Sequence, residues 1–531
     1  MRLLPSLLVV PLATLALPTH LAAQVAHQGN GIGAAYVRTS TATIGGTLEL
    51  EWGSPNIPNG LTALCSSDGY GPVMFPGVGS VWMDYLSPQF YYGFFFLDAQ
   101  GEQSGSLPVP SGAALVGNPP LFVVCVACEP SGWSISKTAR IDFENANAYR
   151  AVGAMGSGRA LHTATALGAS GRDNETRVLI TGGGGGTVLQ PLASATTEFY
   201  VPLTRSFSPG PTMAVERTLH RAVRLDDGRV LLIGGVDSLG VVTRGCEIFD
   251  PANDTLSPTG DLTVPRAGHD ATLLANGKVL VTGGLADYVN PLTNLLVVLN
   301  TAQDTAELYD PASGTWTAVP GTMASRHSGH TQTLLPSGMV LIAGGIQGAT
   351  LSTLFMQPVP VYTGSCSIYD PATNSLSTTG SLLFPRGFHA ASVLANGNVL
   401  VTGGSVSNIL FGSVTASPVC EVWNGSTWSQ TGPLPQALTN HMQIADANGN
   451  AVIFGGLTGA FPTLTAVDIS GRHDGTTYTP GPLLGENPGL PAAPITPRAA
   501  GALTVLGDGT WLLSGGTDGT APLTSTLIFH P

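Results

Sequence analysis

Six histidines recur at intervals of roughly 50 to 60 residues, each just ahead of a short run of Thr, Ala, Val or Leu: His162, His220, His269, His330, His389 and His441. Neutral imidazoles gathered into a ring can hold a transition metal or hydrogen-bond a ligand. The plainer reading is that each ring bonds the backbone of a neighbouring repeat, since a site needs asymmetry and a repeated fold element does not. Arginines recur beside them at Arg159, Arg217, Arg266, Arg326, Arg386 and Arg498, with Leu438 in the sixth place. Carboxylates follow at Glu198, Glu247, Glu307 and Glu421. Pairing each guanidinium with a carboxylate of the adjacent repeat, through a two-pronged fork, accounts for both sets. Binding a substrate carboxylate is the alternative use of the same arginines.

Something regular must position these residues. A Gly-Gly pair closing an apolar run occurs seven times, at Gly182, Gly234, Gly283, Gly344, Gly403, Gly455 and Gly515 with the glycine that follows each. The third unit shows the full pattern: Arg266-Ala-Gly-His269, Ala271 to Leu274, a turn at Asn276-Gly277, Val279 to Val281, the Gly-Gly pair, Ala306 to Pro311, and Gly314-Thr-Trp316. Asn-Gly or Asp-Gly between two apolar runs predicts a two-residue hairpin with positive φ at both central positions. Asp-Pro ends the third strand and turns the chain into the fourth. Four short antiparallel strands per unit make one blade of a propeller. The innermost strand of each blade lines a central channel, so the six histidines fall near one channel mouth and are the candidate binding residues.

The Gly-Gly pairs, the aromatic before Asp-Pro and the aromatic of the fourth strand resemble the kelch repeat family from about residue 148 to the C-terminus. The fourth-strand position holds Phe207, Leu256, Trp316, Leu376, Trp428 and Tyr478, and the sixth unit, read with Ala466 to Ile469 as its third strand, departs furthest from the pattern. The seventh unit stops after its third strand at Phe529-His-Pro531, while Tyr149-Arg-Ala-Val-Gly-Ala-Met155 matches Trp316 to Met323. Residues 148–155 are therefore expected to close the last blade and protect its edge. The fold class is all-β: a seven-bladed kelch β-propeller at 146–531, preceded by a small β-sandwich at 24–145 with strand-like runs at 47–52, 90–97 and 121–126.

An N-terminal β-domain followed by a seven-bladed kelch ring also resembles the galactose oxidase and glyoxal oxidase architecture. That resemblance implies a Tyr-His pair and a Tyr cross-linked to Cys as parts of a copper site. Here the residues preceding the six histidines are Leu161, Leu219, Gly268, Gly329, Phe388 and Asn440. None is Tyr. Cys246, Cys366 and Cys420 share one small-residue position on the third strand with Ala306, Thr197 and Thr526, where equivalent positions of different blades are too far apart for a disulfide. They read as buried thiols that fill space. No catalytic residue, metal or other cofactor is assigned.

Arg2, the apolar stretch Leu3 to Leu17 and the small residues before Gln24 read as an export signal at 1–23. Export makes a disulfide between Cys65 and either Cys125 or Cys128 an open alternative. Only 10% of the 531 residues are charged, and the formal net charge of -13 argues against a nucleic-acid partner. No later stretch is long and apolar enough for a membrane span. The long, uneven segments after the Gly-Gly pairs (285–302, 346–363 and 405–418) carry Leu295, Leu296, Phe355, Met356, Leu410 and Phe411. Variable loops on a rigid ring are where binding lives. The expectation is a secreted monomer that recognises a glycan or protein through its propeller loops. The alternative is a galactose-oxidase-like oxidase of carbohydrates or aldehydes, or another carbohydrate-active enzyme.

Overall fold

The computed structural model describes residues 148–531 apart from 169–176, 188–189, 289–290, 485–496 and 508, together with the strands between residues 36 and 144. The export signal expected at 1–23 lies outside the described residues. Upstream, strands 36–39, 47–53 and 102–108 form one antiparallel sheet. A second sheet orders 132–135, 121–129, 61–67 and 91–96. The three runs expected from sequence in this region are strands. The side chains of Cys65 and Cys128, on which the disulfide alternatives rest, are outside the described residues.

From residue 148 onward seven four-stranded sheets follow one another. In blade three the strands 270–273, 279–282, 306–310 and 315–318 pair antiparallel in that order, from the axis outward. Neighbouring innermost strands contact each other all the way round, and 163–166 of blade one meets 502–505 of blade seven. The ring is closed.

The second strand of every blade is buried at all four positions, from Val178–Thr181 to Trp511–Ser514. A strand covered on both faces reads as a continuous apolar run, which is why runs such as Val-Leu-Val-Thr and Val-Leu-Leu-Ile precede the Gly-Gly pairs. The cores lie between blades: Leu231 and Ile233 of blade two pack with Val279 and Val281 of blade three. Val178 and Ile180 of blade one pack likewise with Leu512 and Ile528 of blade seven. Each such side chain removed from water contributes about 1.5–3 kcal/mol, so the apolar burial that holds one blade depends on its neighbours.

The last blade takes its outermost strand from the other end of the ring. Residues 148–151 pair with 527–530, setting Tyr149 opposite Phe529 with ring centroids 4.9 Å apart. Tyr149 thereby fills the place held by Trp316 opposite Tyr309 in blade three. Every blade opposes its third- and fourth-strand residues at this level, down to Leu256 and Leu376 opposite Phe249 and Tyr369.

Three expectations are corrected. In the sixth blade the third strand is Ser470–His473, four residues beyond the run read from sequence. Val467 instead bonds back to Gly456 as part of the approach to that strand. The Asn-Gly turns are three-residue loops: Gly277 N–H reaches Leu274 O while Leu274 N–H returns to Lys278 O, and only Gly277 has positive φ. One left-handed residue suffices for that loop, so Asn276 keeps an ordinary conformation. The segments after the Gly-Gly pairs are also more ordered than loops. Helix 291–299, broken at Asn294, occupies that place in blade three, and hairpins 346–351/358–362 and 405–408/413–416 occupy it in blades four and five.

Candidate functional site

The six histidines come to equivalent places, just before the innermost strands, but they are 1–8% exposed and sit in the seams between blades. Their partners are side-chain hydroxyls of the preceding blade rather than backbone groups. His220 Nε2 lies 2.9 Å from Thr181 Oγ1, His330 Nε2 2.8 Å from Thr282 Oγ1, and His441 Nε2 2.8 Å from Thr402 Oγ1. His162 closes the circle with Ser514 of blade seven at 2.8 Å. Where the preceding blade has Ala343, His389 turns to Thr331 at 3.0 Å. Ile233 stands where a hydroxyl would meet His269.

Close packing explains the glycines that precede these rings. A Cβ on the first glycine of each of six pairs would lie 2.8–3.1 Å from the Cε1 of the next blade's histidine. A Cβ on the second glycine of the first six pairs would lie 2.5–2.9 Å from the Cβ of the same blade's own histidine. Both glycines have positive φ, so they are required for conformation and for space alike. The sequence signal for four of the hydroxyl partners is the Thr or Ser immediately before the Gly-Gly pair, at Thr181, Thr282, Thr402 and Ser514.

Burial holds all six imidazoles below the usual histidine range. His162 and His389 are pushed down to about 3 by burial, with the nearby Arg159 and Arg386 guanidinium groups adding to it. His441 is pushed down to about 4, and burial likewise drives His220, His269 and His330 well below it. Five of these buried neutral rings bridge their seam through a hydroxyl, and His269 packs there against Ile233 without one. Among the described residues, no three or more His, Cys, Asp or Glu side chains gather as a group that could hold a metal ion.

The arginines are intrablade clamps, which corrects the interblade pairing expected from sequence. Arg266 Nη2 lies 2.9 Å from Glu307 Oε1 within blade three, and Arg159–Glu198, Arg217–Glu247 and Arg386–Glu421 repeat the pair at 2.6–2.9 Å. The second carboxylate oxygen accepts the N–H of the incoming chain: Gly156, Ala214, Thr263 or Leu383, at 2.7–2.9 Å. Arg326 is exposed and outside this set. Its neighbour His327 occupies the arginine's place, with Nδ1 2.6 Å from Gly344 O, and Ser367 Oγ replaces the carboxylate by accepting Ala324 N–H at 3.1 Å. The one-residue slip went unseen because an Arg happens to precede His327. Glu307→Ala should cost about 3–5 kcal/mol, because Arg266 would remain buried without its counter-charge. Ser367→Ala should cost only about 1 kcal/mol, the worth of a neutral hydrogen bond. Paired denaturant titrations would check the contrast.

Cys246, Cys366 and Cys420 are buried free thiols at the first position of the third strand, as expected from sequence.

Around the axis, the residue before each histidine and its equivalent Ala500 all have φ between +52° and +63°. Leu161 N–H donates to Ala500 O, Ala500 to Asn440, Asn440 to Phe388, Phe388 to Gly329, Gly329 to Gly268 and Gly268 to Leu219, all at 2.8–3.0 Å. Six links of a seven-membered circle are backbone bonds, so the mouth is rimmed by a fixed ring whose side chains include Leu161, Leu219 and Phe388. Sequence reading missed this ring, because a left-handed Leu or Phe has no local signature.

No protein-family model matches the chain, and no curated protein does. Among solved structures it is similar to the one titled "Structure of YjhT", at 14% identity and a TM-score of 0.46 over 62% of this chain and 99% of that one.

On the face that carries the post-Gly-Gly segments, a cleft of about 580 Å³ opens between the 237–245 loop of blade two and the linker into blade three. Asp237, Thr243, Arg244, Asp261 and Thr263 line it, with Val242 and Pro265. Asp237 Oδ1 accepts the Leu239 and Val241 N–H groups at 2.9 and 2.8 Å, which fixes the loop. The Arg244 guanidinium and the Asp261 carboxylate have no side-chain partner among the described residues.

Proposed function

We propose that this chain is an exported kelch-repeat binding protein that takes a glycan through the loop face of its propeller. The cleft beside blade two carries the reading. Its volume falls within the range of roughly 300–1,000 Å³ usual for ligand sites, and its lining sets an unpaired guanidinium, two carboxylates and two threonine hydroxyls around Val and Pro. Sugars offer hydroxyls to such donors and acceptors and C–H faces to such apolar walls. The N-terminal sequence Arg2 to Ala23 supports export, and the seven Gly-Gly units support the kelch assignment. The buried histidines form the frame that fixes the loops.

Binding to a glycan array, followed by Arg244→Ala and Asp261→Ala in the full chain, tests the proposal. Loss of at least tenfold in affinity with an unchanged melting temperature is expected. Copper bound one-to-one with peroxide release from sugars or aldehydes would overturn it in favour of an oxidase, and a blank array would overturn the glycan assignment.

A further inference from the structure

Blades four, five and six raise three hairpins that join into one crest. Thr353 and Leu354 N–H groups bond the carbonyls of Ile409 and Leu410 at 3.1 Å, tying the tip of the blade-four hairpin to that of blade five. Ala416 N–H bonds Gly459 O at 3.0 Å and Phe461 N–H bonds Val414 O at 2.9 Å, tying blade five to blade six. The tips present Leu354-Phe355-Met356, Ile409-Leu410-Phe411 and Phe461, each 42–64% exposed. Soluble chains rarely leave so many contiguous large apolar side chains open to water.

The three hairpins (346–362, 405–416 and 457–466) contain no charged residue, in a chain of net charge -13. This is the face on which two copies can approach without bringing their carboxylates together. An uncharged apolar surface is also complementary to itself, as a two-fold interface demands. Seven half-exposed side chains of roughly 200 Å² each offer about 700 Å², close to the roughly 800 Å² per partner of a standard interface. The backbone N–H groups of Thr353, Leu354, Leu410 and Phe411 are already bonded within the crest, so the contact is one of side chains rather than of an added strand.

We infer that the crest is the interface of a homodimer formed by two copies of this chain, in place of the monomer expected from sequence. It uses residues apart from the cleft beside blade two, so it stands or falls independently of glycan binding. Sedimentation equilibrium of the full chain at micromolar concentration should give twice the chain mass. Leu410→Asp and, separately, Phe355→Ser should shift the dissociation constant at least a hundredfold towards monomer with unchanged melting temperature. Leu239→Asp, at an exposed site on blade two, should leave the dimer intact. A monomeric wild-type chain, or a dimer indifferent to both crest variants, would overturn the inference. So would a monomer that floats with neutral phosphatidylcholine vesicles, which would make the crest a lipid contact.

Discussion

Lowering the pH from 7 to 5 should strongly destabilise the propeller. His162, His220, His269, His330, His389 and His441 are held neutral by burial, with values of about 3 to 4 where the shift is bounded. In the unfolded chain each titrates near 6.5. Above that value the rings cost nothing, because both states are neutral. As pH falls below it the unfolded chain takes up protons that the ring refuses, and the cost keeps growing until the folded values are reached. At pH 5 His162, His389 and His441 each contribute about 2 kcal/mol to unfolding, a large part of the roughly 5–15 kcal/mol that a folded domain has in all, and His220, His269 and His330 push in the same direction. His327, also held low by burial, adds to the same trend. Asp474, held low by the Thr476 hydroxyl and nearby N–H groups, and Asp518, held low by the Ala521 N–H, lose their contribution only at lower pH. Chemical denaturation at half-unit steps would read the slope. His269→Leu should move the acid midpoint down, and stability that stays flat from pH 7 to 5 would refute the buried neutral ring.

Removing the seam should be nearly as damaging. Ala148 and Tyr149 are at most 1% exposed, and Tyr149 packs against Phe454 as well as Phe529. Its core cluster joins blade six to blade seven through Val452, Trp511 and Leu513. Tyr149→Ala alone should cost about 3–5 kcal/mol, by loss of transfer energy and by the cavity left behind. Deleting 148–155 in the full chain should cost more, since it also strips the hydrogen bonds from strand 526–530 and leaves an open edge. Because each blade is buried by its neighbours, the damage should spread as a lower melting temperature of the whole ring. A calorimetric transition unchanged by either variant would show that the seam does not hold the blade.

Much of this was legible in the chain. The Gly-Gly period gave the blade count, and the match of Tyr149 to Trp316 located the seam, because both reflect a local strand pattern that repeats. Register failed where the pattern is thinnest. In blade four the exposed Arg326 stands one residue before the buried clamp position, which His327 fills, and in blade six, which lacks Asp-Pro, the third strand begins four residues later than the pattern suggests. The roles of the repeated polar residues were less legible still. Whether a carboxylate reaches an arginine of its own blade or of the next depends on distances that no spacing encodes, and here Glu307 bonds Arg266 and the incoming Thr263 together.

The histidines on which the reading began show the division most clearly. Sequence alone determined that they are equivalent, that they precede the innermost strands and that Tyr is missing before each. Only the tertiary structure decided that they point into the seams, where the close approach of two blades needs the glycines beside each ring and a Thr or Ser hydroxyl receives five of the six. The same holds for the loops. Of the apolar residues expected on them, Leu295 packs against a core cluster, and only the packing of neighbouring blades brings Phe355, Met356, Leu410 and Phe411 beside Phe461 of blade six as one uncharged crest.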